Sequence, residues 1–203
     1  MQLTPLQTQA CTGTKTHLVQ LFDSDESLAD VVADFFGTGL MLGETMLAVI
    51  DEERWYAVAM RMSARGLPVD EALRFGYLML QNPRVILNRF MRRGRPNPGL
   101  FAASVGTLIS ELRRFCRPVR IYGEMVDVLA ARGEYTMAGE LEELWNELGK
   151  RQAFTLFCGY SAAHFGDPKD ADALRRICAA HSEVLTNPAD VLGSFLVRRQ
   201  RVS

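Results

Sequence analysis

The sequence has few of the residues on which metal sites and covalent catalysis usually depend. It contains three histidines and four cysteines among 203 residues. No cysteine pair is spaced as CxxC, and no cysteine–histidine spacing is typical of a zinc site. Histidines and cysteines of the C-terminal half are candidate metal ligands, but their spacing does not support a metal site. These residues are Cys158, His164, Cys178 and His181. Because the cysteines lie mostly in apolar runs, we expect buried thiols and no metal, in a reduced, cytoplasmic protein.

Signals for export, membrane insertion and nucleic-acid binding are also missing. The N-terminal residues Met1–Pro5 are not a basic region followed by an apolar stretch. The longest apolar run, residues 40–50, is interrupted by Gly43 and Glu44 and is too short to span a bilayer. A net charge of −1 argues against nonspecific binding to phosphate backbones. We therefore expect neither a membrane partner nor direct contact with nucleic acid.

Nucleotide-binding and hydrolase motifs are absent as well. A P-loop needs glycines whose N–H groups wrap phosphate, a lysine, and a Ser or Thr for magnesium. The predicted strand ending at Ile50 instead meets Asp51-Glu52-Glu53, whose carboxylates would repel phosphate. The segment Thr12–Thr16 has suitable residue types but precedes every predicted strand, and there is no GxSxG elbow. We expect no enzyme activity, no catalytic residues and no cofactor.

What the chain does contain is an alternation of short apolar runs and helical periodicities. Strands are predicted at residues 18–22, 45–50, 75–80, 119–122 and 154–160. Helices are predicted from Asp23 to the glycines 37 and 39, at 53–64, 83–92, 102–116, 125–131, 135–150 and 171–180, and from Asn187-Pro188 to 196. Short continuous apolar runs are typical of buried parallel strands. The pattern predicts an α/β fold of three layers, with a mostly parallel central sheet flanked by helices.

The most informative segment is Arg120–Gly133. It begins as an apolar strand, passes through Gly123 and places Glu124 at the strand's carboxyl end, directly before a helix. Ligands of open parallel sheets bind in the crevice outside the carboxyl ends of the strands, so Glu124 is well placed to face a bound molecule. The alternative is that Glu124 only caps the following helix, where a carboxylate is favourable. Both interpretations are open from sequence.

Further residues of the expected ligand site lie near Glu124 in the predicted fold. Tyr160 closes another predicted strand, and Asn146 lies on the helix between the two, next to Trp145. We expect Glu124, Asn146 and Tyr160 to converge on one crevice at the carboxyl ends of the strands. Glu124 and Tyr160 would polarise or hydrogen-bond the ligand, and Met125, Trp145 and Phe157 would form an apolar wall. Ordinary core packing is the alternative for the apolar residues.

Five pieces of the sequence together resemble one family. In order, they are His17-Leu-Val-Gln20, Tyr122-Gly-Glu-Met125, Leu141-Glu-Glu-Leu-Trp-Asn146, Phe154-Thr-Leu-Phe-Cys-Gly-Tyr160 and Ile177-Cys-Ala-Ala-His-Ser182. The ordered set resembles the MEDS domain, the sensory domain named for methanogens, methylotrophs and the dichloromethane regulator. The resemblance divides the chain into a flexible segment 1–16, a MEDS-like sensory domain 17–186, and a C-terminal helix and basic tail 187–203.

The resemblance implies a RecA/KaiC-like fold whose phosphate loop has decayed, in agreement with the acidic residues after Ile50. It also implies a role in sensing small molecules such as hydrocarbon derivatives. The family-typical positions of this chain are His17, Gln20, Glu124, Asn146, Cys158, Tyr160 and His181. The resemblance leaves open whether these residues contact a ligand or hold the fold. The expected ligand-binding set comprises His17, Gln20, Glu124, Met125, Trp145, Asn146 and Tyr160.

Members of this family often accompany histidine kinases or DNA-binding domains, neither of which is recognisable in this chain. We therefore expect a stand-alone cytoplasmic sensory module. It would bind a small molecule and relay the signal to a separate protein, such as a histidine kinase or a transcription regulator, and a homo-oligomer is also open. The alternative is a ligand-free interaction adaptor whose former nucleotide crevice is filled by side chains. A deep cavity with a polar lip would favour the sensor, and a filled crevice beside exposed apolar residues would favour the adaptor.

Overall fold

The computed structural model describes residues 16–201, and side chains for residues 16–199. The predicted flexible segment 1–16 therefore falls almost wholly outside the described residues, as does the end of the basic tail. The strands in the described part are β1 Thr16–Phe22, β2 Thr45–Val49, β3 Leu78–Gln81, β4 Met91–Arg92, β5 Arg95–Pro96, β6 Val119–Gly123, β7 Thr155–Ser161 and β8 Glu183–Leu185. The helices are α1 Asp25–Met41, α2 Glu52–Ala64, α3 Val69–Arg74, α4 Pro83–Phe90, α5 Pro98–Arg113, α6 Met125–Ala130, α7 Tyr135–Arg151, α8 Ala171–Ala180 and α9 Val191–Arg201.

A six-stranded sheet runs through the centre in the order β3-β2-β6-β7-β1-β8, and all its pairings are parallel. Strands β4 and β5 form a separate antiparallel hairpin. One face of the sheet packs against α1, α2 and α3, and the other against α4 to α9. This confirms the predicted three-layer α/β fold with a parallel central sheet; the likeness to RecA and KaiC stays a prediction. Of the helices within residues 16–201, none has the length and apolar character needed to cross a membrane.

Both faces of the sheet are buried, as the continuous apolar runs predict. Ala48 in β2, Ile121 in β6 and Leu156 in β7 are each at most 1% exposed. Successive strand residues point to opposite faces. Accordingly, Ile121 belongs to the core beneath α5 and α7, and Tyr122 to the core beneath α1 and α2.

The predicted end of α1 at Gly37 and Gly39 is wrong, because the helix continues to Met41. These glycines make room for neighbours instead of stopping the helix. A Cβ added to Gly37 would lie 3.0 Å from Leu67 Cδ1, and one added to Gly39 would lie 3.0 Å from Arg120 Cδ.

The strand predicted at residues 75–80 begins too early. Val69–Arg74 forms α3, Phe75 is its C-cap and is 55% exposed, and β3 starts at Leu78. Gly76 has a positive φ of 74°, which lets the chain turn out of the helix and into the strand.

Three other boundaries differ from the predictions. Helix α4 ends at Phe90 because the next residues enter the β4–β5 hairpin. Helix α5 begins at Pro98, where the side chain of Asn97 accepts a hydrogen bond from the Leu100 N–H. Helix α9 begins at Val191 and not after Asn187, while the short edge strand β8 was not predicted at all.

Candidate functional site

Two clusters of buried and half-buried polar side chains are candidates for a functional site. We call the set of His17, Glu142, Cys158 and His181 the histidine cluster. We call the set of Arg54, Glu124, Asp127 and His164 the arginine cluster. The first lies between the sheet and α7, and the second lies where β2, β6 and β7 end.

The histidine cluster is assembled from four elements. His17 and Cys158 come from the adjacent strands β1 and β7, Glu142 from α7, and His181 from the C-cap of α8. In β1 and β7, His17 pairs with Leu156 and Val19 pairs with Cys158. Since alternate residues share a face, His17 and Cys158 both point toward α7.

The four side chains are in mutual contact. His17 Nε2 lies 3.2 Å from Glu142 Oε2 and 3.5 Å from Cys158 Sγ. Cys158 Sγ lies 3.6 Å from Glu142 Oε2, and His181 Nε2 lies 3.3 Å from Glu142 Oε1. One potential ligand atom from each residue can be chosen so that all four lie within 4.8 Å of one another.

A second layer of hydrogen bonds orients these groups. His17 Nδ1 lies 3.0 Å from Asn146 Oδ1, and the Asn146 amide donates to the Ala180 carbonyl at 3.0 Å. His181 Nδ1 lies 2.7 Å from the Ile177 carbonyl oxygen. The Tyr160 hydroxyl donates to Glu142 Oε1 at 2.6 Å. Both imidazoles therefore present Nε2 to Glu142.

The electrostatics of the cluster favour the ionised form of Glu142. Burial opposes ionisation of Glu142, but His181 and His17 outweigh it and hold its pKa below the ordinary value. Burial lowers the pKa of His181, yet Glu142 outweighs burial and the net pKa is raised. Burial and Glu142 together raise the pKa of the Cys158 thiol and the Tyr160 phenol well above their ordinary values. A buried protonated thiol of this kind is a poor nucleophile.

A cavity of about 390 Å³ opens beside the histidine cluster. Its wall is largely apolar, and its polar lining includes the two histidines and Asn146; the main side chains are His17, Trp145, Asn146, Phe154, Leu156 and His181. Because Thr16 begins β1 and Phe154 immediately precedes β7, the cavity lies at the amino ends of these strands.

The arginine cluster fills the position at which a ligand was expected. Glu124 is 1% exposed, and its Oε2 accepts a hydrogen bond from the Asp51 N–H at 3.0 Å. Its Oε1 accepts from the Tyr122 hydroxyl at 3.1 Å. Arg54 Nη1 lies 3.4 Å from Glu124 Oε2 and 3.3 Å from Asp127 Oδ2. Protein groups thus occupy the crevice that β2 and β6 form at their carboxyl ends.

Glu124 occupies the N-cap position of α6, but its side chain does not act as the alternative interpretation supposed. Within the described residues it makes no capping hydrogen bond to α6 and bonds instead to Asp51, the N-cap residue of α2. Burial raises the pKa of Glu124 to about 7 even though the Arg54 cation opposes that shift. Glu124 therefore joins two strand-to-helix junctions and lies close to its protonation midpoint at neutral pH.

The expected convergence of Glu124, Asn146 and Tyr160 on one crevice is not found. Tyr160 belongs to the core beneath α7, whereas Tyr122, the hydrogen-bond partner of Glu124, belongs to the core on the opposite face. Asn146 reaches His17 near the start of β1, and so lies toward the amino ends of the strands.

Other expected site residues are divided between the cavity and the core. His17 and Trp145 line the cavity, while Met125 is buried in the core. Gln20 is buried, and its amide donates to Asp190 Oδ2 at 2.5 Å. Gln20 Oε1 has no hydrogen-bond partner among the described residues.

The grouping of histidines and cysteines considered from sequence is only partly assembled. His181 and Cys158 do meet, but in company with His17 and Glu142. His164 instead lies 3.1 Å from Asp127 Oδ1.

Sequence reasoning missed the buried carboxylates Glu142 and Asp190 and the half-buried Arg54. Glu142 had a detectable signal. The buried positions of α7 include Ala138, Leu141, Glu142 and Trp145, which are spaced i, i+3, i+4 and i+7. A carboxylate within such an apolar stripe needs partners, which distinguishes it from the water-facing glutamates around it.

Two comparisons with known proteins bear on the family of the chain. A search among curated proteins returns no match to the chain. The family model described as MEDS, the MEthanogen/methylotroph, DcmR Sensory domain, matches residues 16–182. That span contains all four residues of the histidine cluster and all four of the arginine cluster, and on this evidence the chain belongs to the MEDS family of sensory domains.

Proposed function

We propose that this MEDS domain is a non-catalytic sensor that binds a small, mainly apolar molecule in the cavity beside the histidine cluster. The observation that carries the proposal is the composition of that cavity. Trp145 and Phe154 supply an aromatic wall, and His17 and Asn146 supply polar atoms at one side. A volume of about 390 Å³ lies within the range of ligand pockets, ~300–1,000 Å³. An apolar wall with a few placed polar groups is the usual composition of such sites.

The chain segment that follows α8 connects the cavity lining to the exposed residues of α9. His181 and Ser182 line it at the end of α8, and Ser182 is tied to the His17 backbone by a 2.8 Å bond from its N–H. Strand β8 and then α9 follow. Helix α9 exposes Val191 and Phe195, at 73% and 55%. A ligand that shifts the α8–β8 junction would move this apolar surface, which we propose contacts a separate signalling protein.

Heavy-atom quenching of tryptophan fluorescence tests the ligand site directly. The experiment uses a Trp55→Phe background, in which Trp145 is the remaining tryptophan, and dibromomethane as the probe. Bound bromine should quench Trp145 with saturation. Gly149→Leu, which adds an apolar side chain to the cavity lining, should weaken the apparent affinity at least tenfold.

Gly139→Leu is the matched control, because it makes the same change on α7 outside the lining of this cavity. It should bind the probe as the Trp55→Phe protein does. Quenching that rises linearly with dibromomethane and is equal in all three proteins would be collisional, and it would contradict the proposed site.

A second candidate, the ligand-free adaptor, is favoured by one observation. The crevice at the carboxyl ends of β2 and β6 is filled by Arg54 and Glu124, while Val191 and Phe195 are exposed elsewhere. If the adaptor interpretation holds, Phe195→Asp should abolish signalling output in the host organism, whereas Gly149→Leu should leave it unchanged. Loss of output in both variants would support the sensor.

A further inference from the structure

We infer that the histidine cluster is a zinc site in which His17 Nε2, His181 Nε2, Cys158 Sγ and a Glu142 carboxylate oxygen bind one ion. The inference does not depend on the proposed cavity ligand, because it uses only the mutual geometry of these four side chains. It also differs from what the sequence predicted, since residues 17, 142, 158 and 181 have no recognisable metal-binding spacing.

The donor set suits zinc. Zinc is bound in proteins by imidazole nitrogen, thiolate sulfur and carboxylate oxygen, and its structural sites are almost always four-coordinate and tetrahedral. Two neutral imidazoles, one thiolate and one carboxylate balance the two positive charges of the ion. Binding would displace the thiol proton of Cys158, and any proton held on an Nε2, to solvent.

The distances fit one face of such a tetrahedron. With Zn–N and Zn–O bonds of about 2.0–2.2 Å and a Zn–S bond of about 2.3 Å, neighbouring ligand atoms should be separated by ~3.3–3.6 Å. Glu142 Oε2, His17 Nε2 and Cys158 Sγ form a triangle with sides of 3.2, 3.5 and 3.6 Å. His181 Nε2 approaches the same carboxylate from its other oxygen, at 3.3 Å.

The hydrogen bonds around the cluster prepare both histidines to bind metal. A carbonyl oxygen can only accept, so His181 Nδ1 must carry the proton that it shares with Ile177. The Asn146 amide donates to Ala180 and therefore turns its oxygen toward His17 Nδ1, which must also be protonated. In the neutral rings the lone pairs are then on Nε2. This carbonyl-to-imidazole arrangement is typical of the outer shell of metal sites.

The buried atoms of the cluster also need a further partner. His181 Nε2 is buried and makes no hydrogen bond of acceptable geometry within the described residues, although Glu142 lies 3.3 Å away. Glu142 is fully buried and is held on its other side by the Tyr160 hydroxyl. A zinc ion would satisfy these atoms together. With four protein ligands the site would be closed, and it would join β1, β7, α7 and the end of α8.

Cobalt substitution is the decisive experiment. The purified, reduced protein is stripped with a chelator and titrated anaerobically with Co²⁺, then with Zn²⁺. We expect one equivalent of Co²⁺ to produce intense tetrahedral d–d bands and a near-ultraviolet sulfur-to-cobalt charge-transfer band, both removed by one equivalent of Zn²⁺. Weak octahedral bands without charge transfer at saturating Co²⁺ would overturn the proposal.

Variants assign the ligands. Cys158→Ser should remove the charge-transfer band, whereas Cys116→Ser, which changes an exposed cysteine, should retain it. His17→Gln should weaken zinc binding at least a hundredfold, while His164→Gln should not change it. His17 is the least buried of the four ligands, so its variant is the one best able to fold. A charge-transfer band that survives in a folded Cys158→Ser protein would overturn the assignment.

Asn146, which hydrogen-bonds His17 Nδ1, provides a test that separates a zinc site from a metal-free hydrogen-bond network. Asn146→Ala leaves all four ligand atoms in place and removes the acceptor of His17 Nδ1, together with the amide that donates to the Ala180 carbonyl. It should weaken zinc affinity by about 10–100-fold, measured by competition with a chromophoric chelator. Unchanged affinity in Asn146→Ala would contradict the inferred orientation of His17.

Discussion

Replacing Glu124 by glutamine should flatten the pH dependence of stability. Burial raises the pKa of Glu124 to about 7, against an ordinary value of 4.5. Between these two values the folded protein holds a proton that the unfolded chain has released. Stability from this group is therefore fully present below pH 4.5 and is lost as the pH rises through about 7.

The size of the effect follows from the separation of the two pKa values. At about 1.4 kcal/mol for each tenfold change in proton affinity, the interval from 4.5 to 7 corresponds to about 3 kcal/mol. Glutamine is close in shape and does not titrate. Its oxygen can accept from the Asp51 N–H and its amide can donate to the Tyr122 hydroxyl oxygen. The substitution should thus remove the titration and preserve the local hydrogen bonds.

Urea unfolding from pH 4.5 to 8.5 measures the effect. The unfolding free energy of the natural protein should fall by about 3 kcal/mol relative to Glu124→Gln across this range, because other titrating groups largely cancel in the difference. Glu52→Gln, at an exposed position near the start of α2, should run parallel to the natural protein. If the natural protein instead gains stability over Glu124→Gln as the pH rises, attraction to Arg54 exceeds the burial cost, and a raised pKa for Glu124 is refuted.

Two further predictions concern packing and nucleotides. Gly193→Ala should destabilise the protein by ~1–3 kcal/mol, because its Cβ would lie 2.2 Å from the Leu21 carbonyl oxygen. Gly139→Ala on α7, where nothing lies within 4 Å of the added Cβ, should stabilise the protein by up to ~1 kcal/mol, and thermal melts measure both changes. A fluorescent ATP analogue with magnesium should show no saturable binding at micromolar concentrations. The reason is that the Asp51 and Glu124 carboxylates occupy a strand-to-helix junction where phosphate would need cations and free N–H groups. Saturable micromolar binding would contradict this prediction.

The central sheet could be predicted because its signal is local. Runs such as residues 45–50 and 154–160 are apolar on both faces, and this is how strands appear when helices cover both sides of a sheet. The structure places both runs in one parallel sheet, with Ala48 and Leu156 buried. Neither the strand order nor the edge strand β8, with three residues, carries a comparable signal.

Predictions from sequence are wrong where a tertiary contact, and not local structure, determines which residue is present. Gly39 was interpreted as a helix end, since glycine is common there. Its actual neighbour is Arg120, from a strand 81 positions later in the chain, whose side chain passes too closely for a Cβ. The sequence around Gly39 contains no information about that contact.

The candidate site shows the same limit more strongly. His17 is proposed from the family resemblance, and Asn146 both from the resemblance and from its place on a helix beside Trp145. No spacing rule connects the two residues across 129 positions. Glu124 was chosen because ligands usually bind at the carboxyl ends of parallel strands. That rule locates a crevice but does not say whether side chains fill it, and in this chain Arg54 does.

The two clusters therefore differ in how easily a small molecule could reach their side chains. In the arginine cluster, the Arg54 cation, the Asp51 N–H and the Tyr122 hydroxyl already satisfy Glu124, so a ligand there would have to displace protein groups. In the histidine cluster, Glu142 accepts a hydrogen bond from the Tyr160 hydroxyl and lies beside the imidazoles of His17 and His181, which also line a cavity. A molecule entering that cavity can contact the imidazoles without breaking any contact within the sheet. For this reason we place the proposed ligand site at the amino ends of β1 and β7.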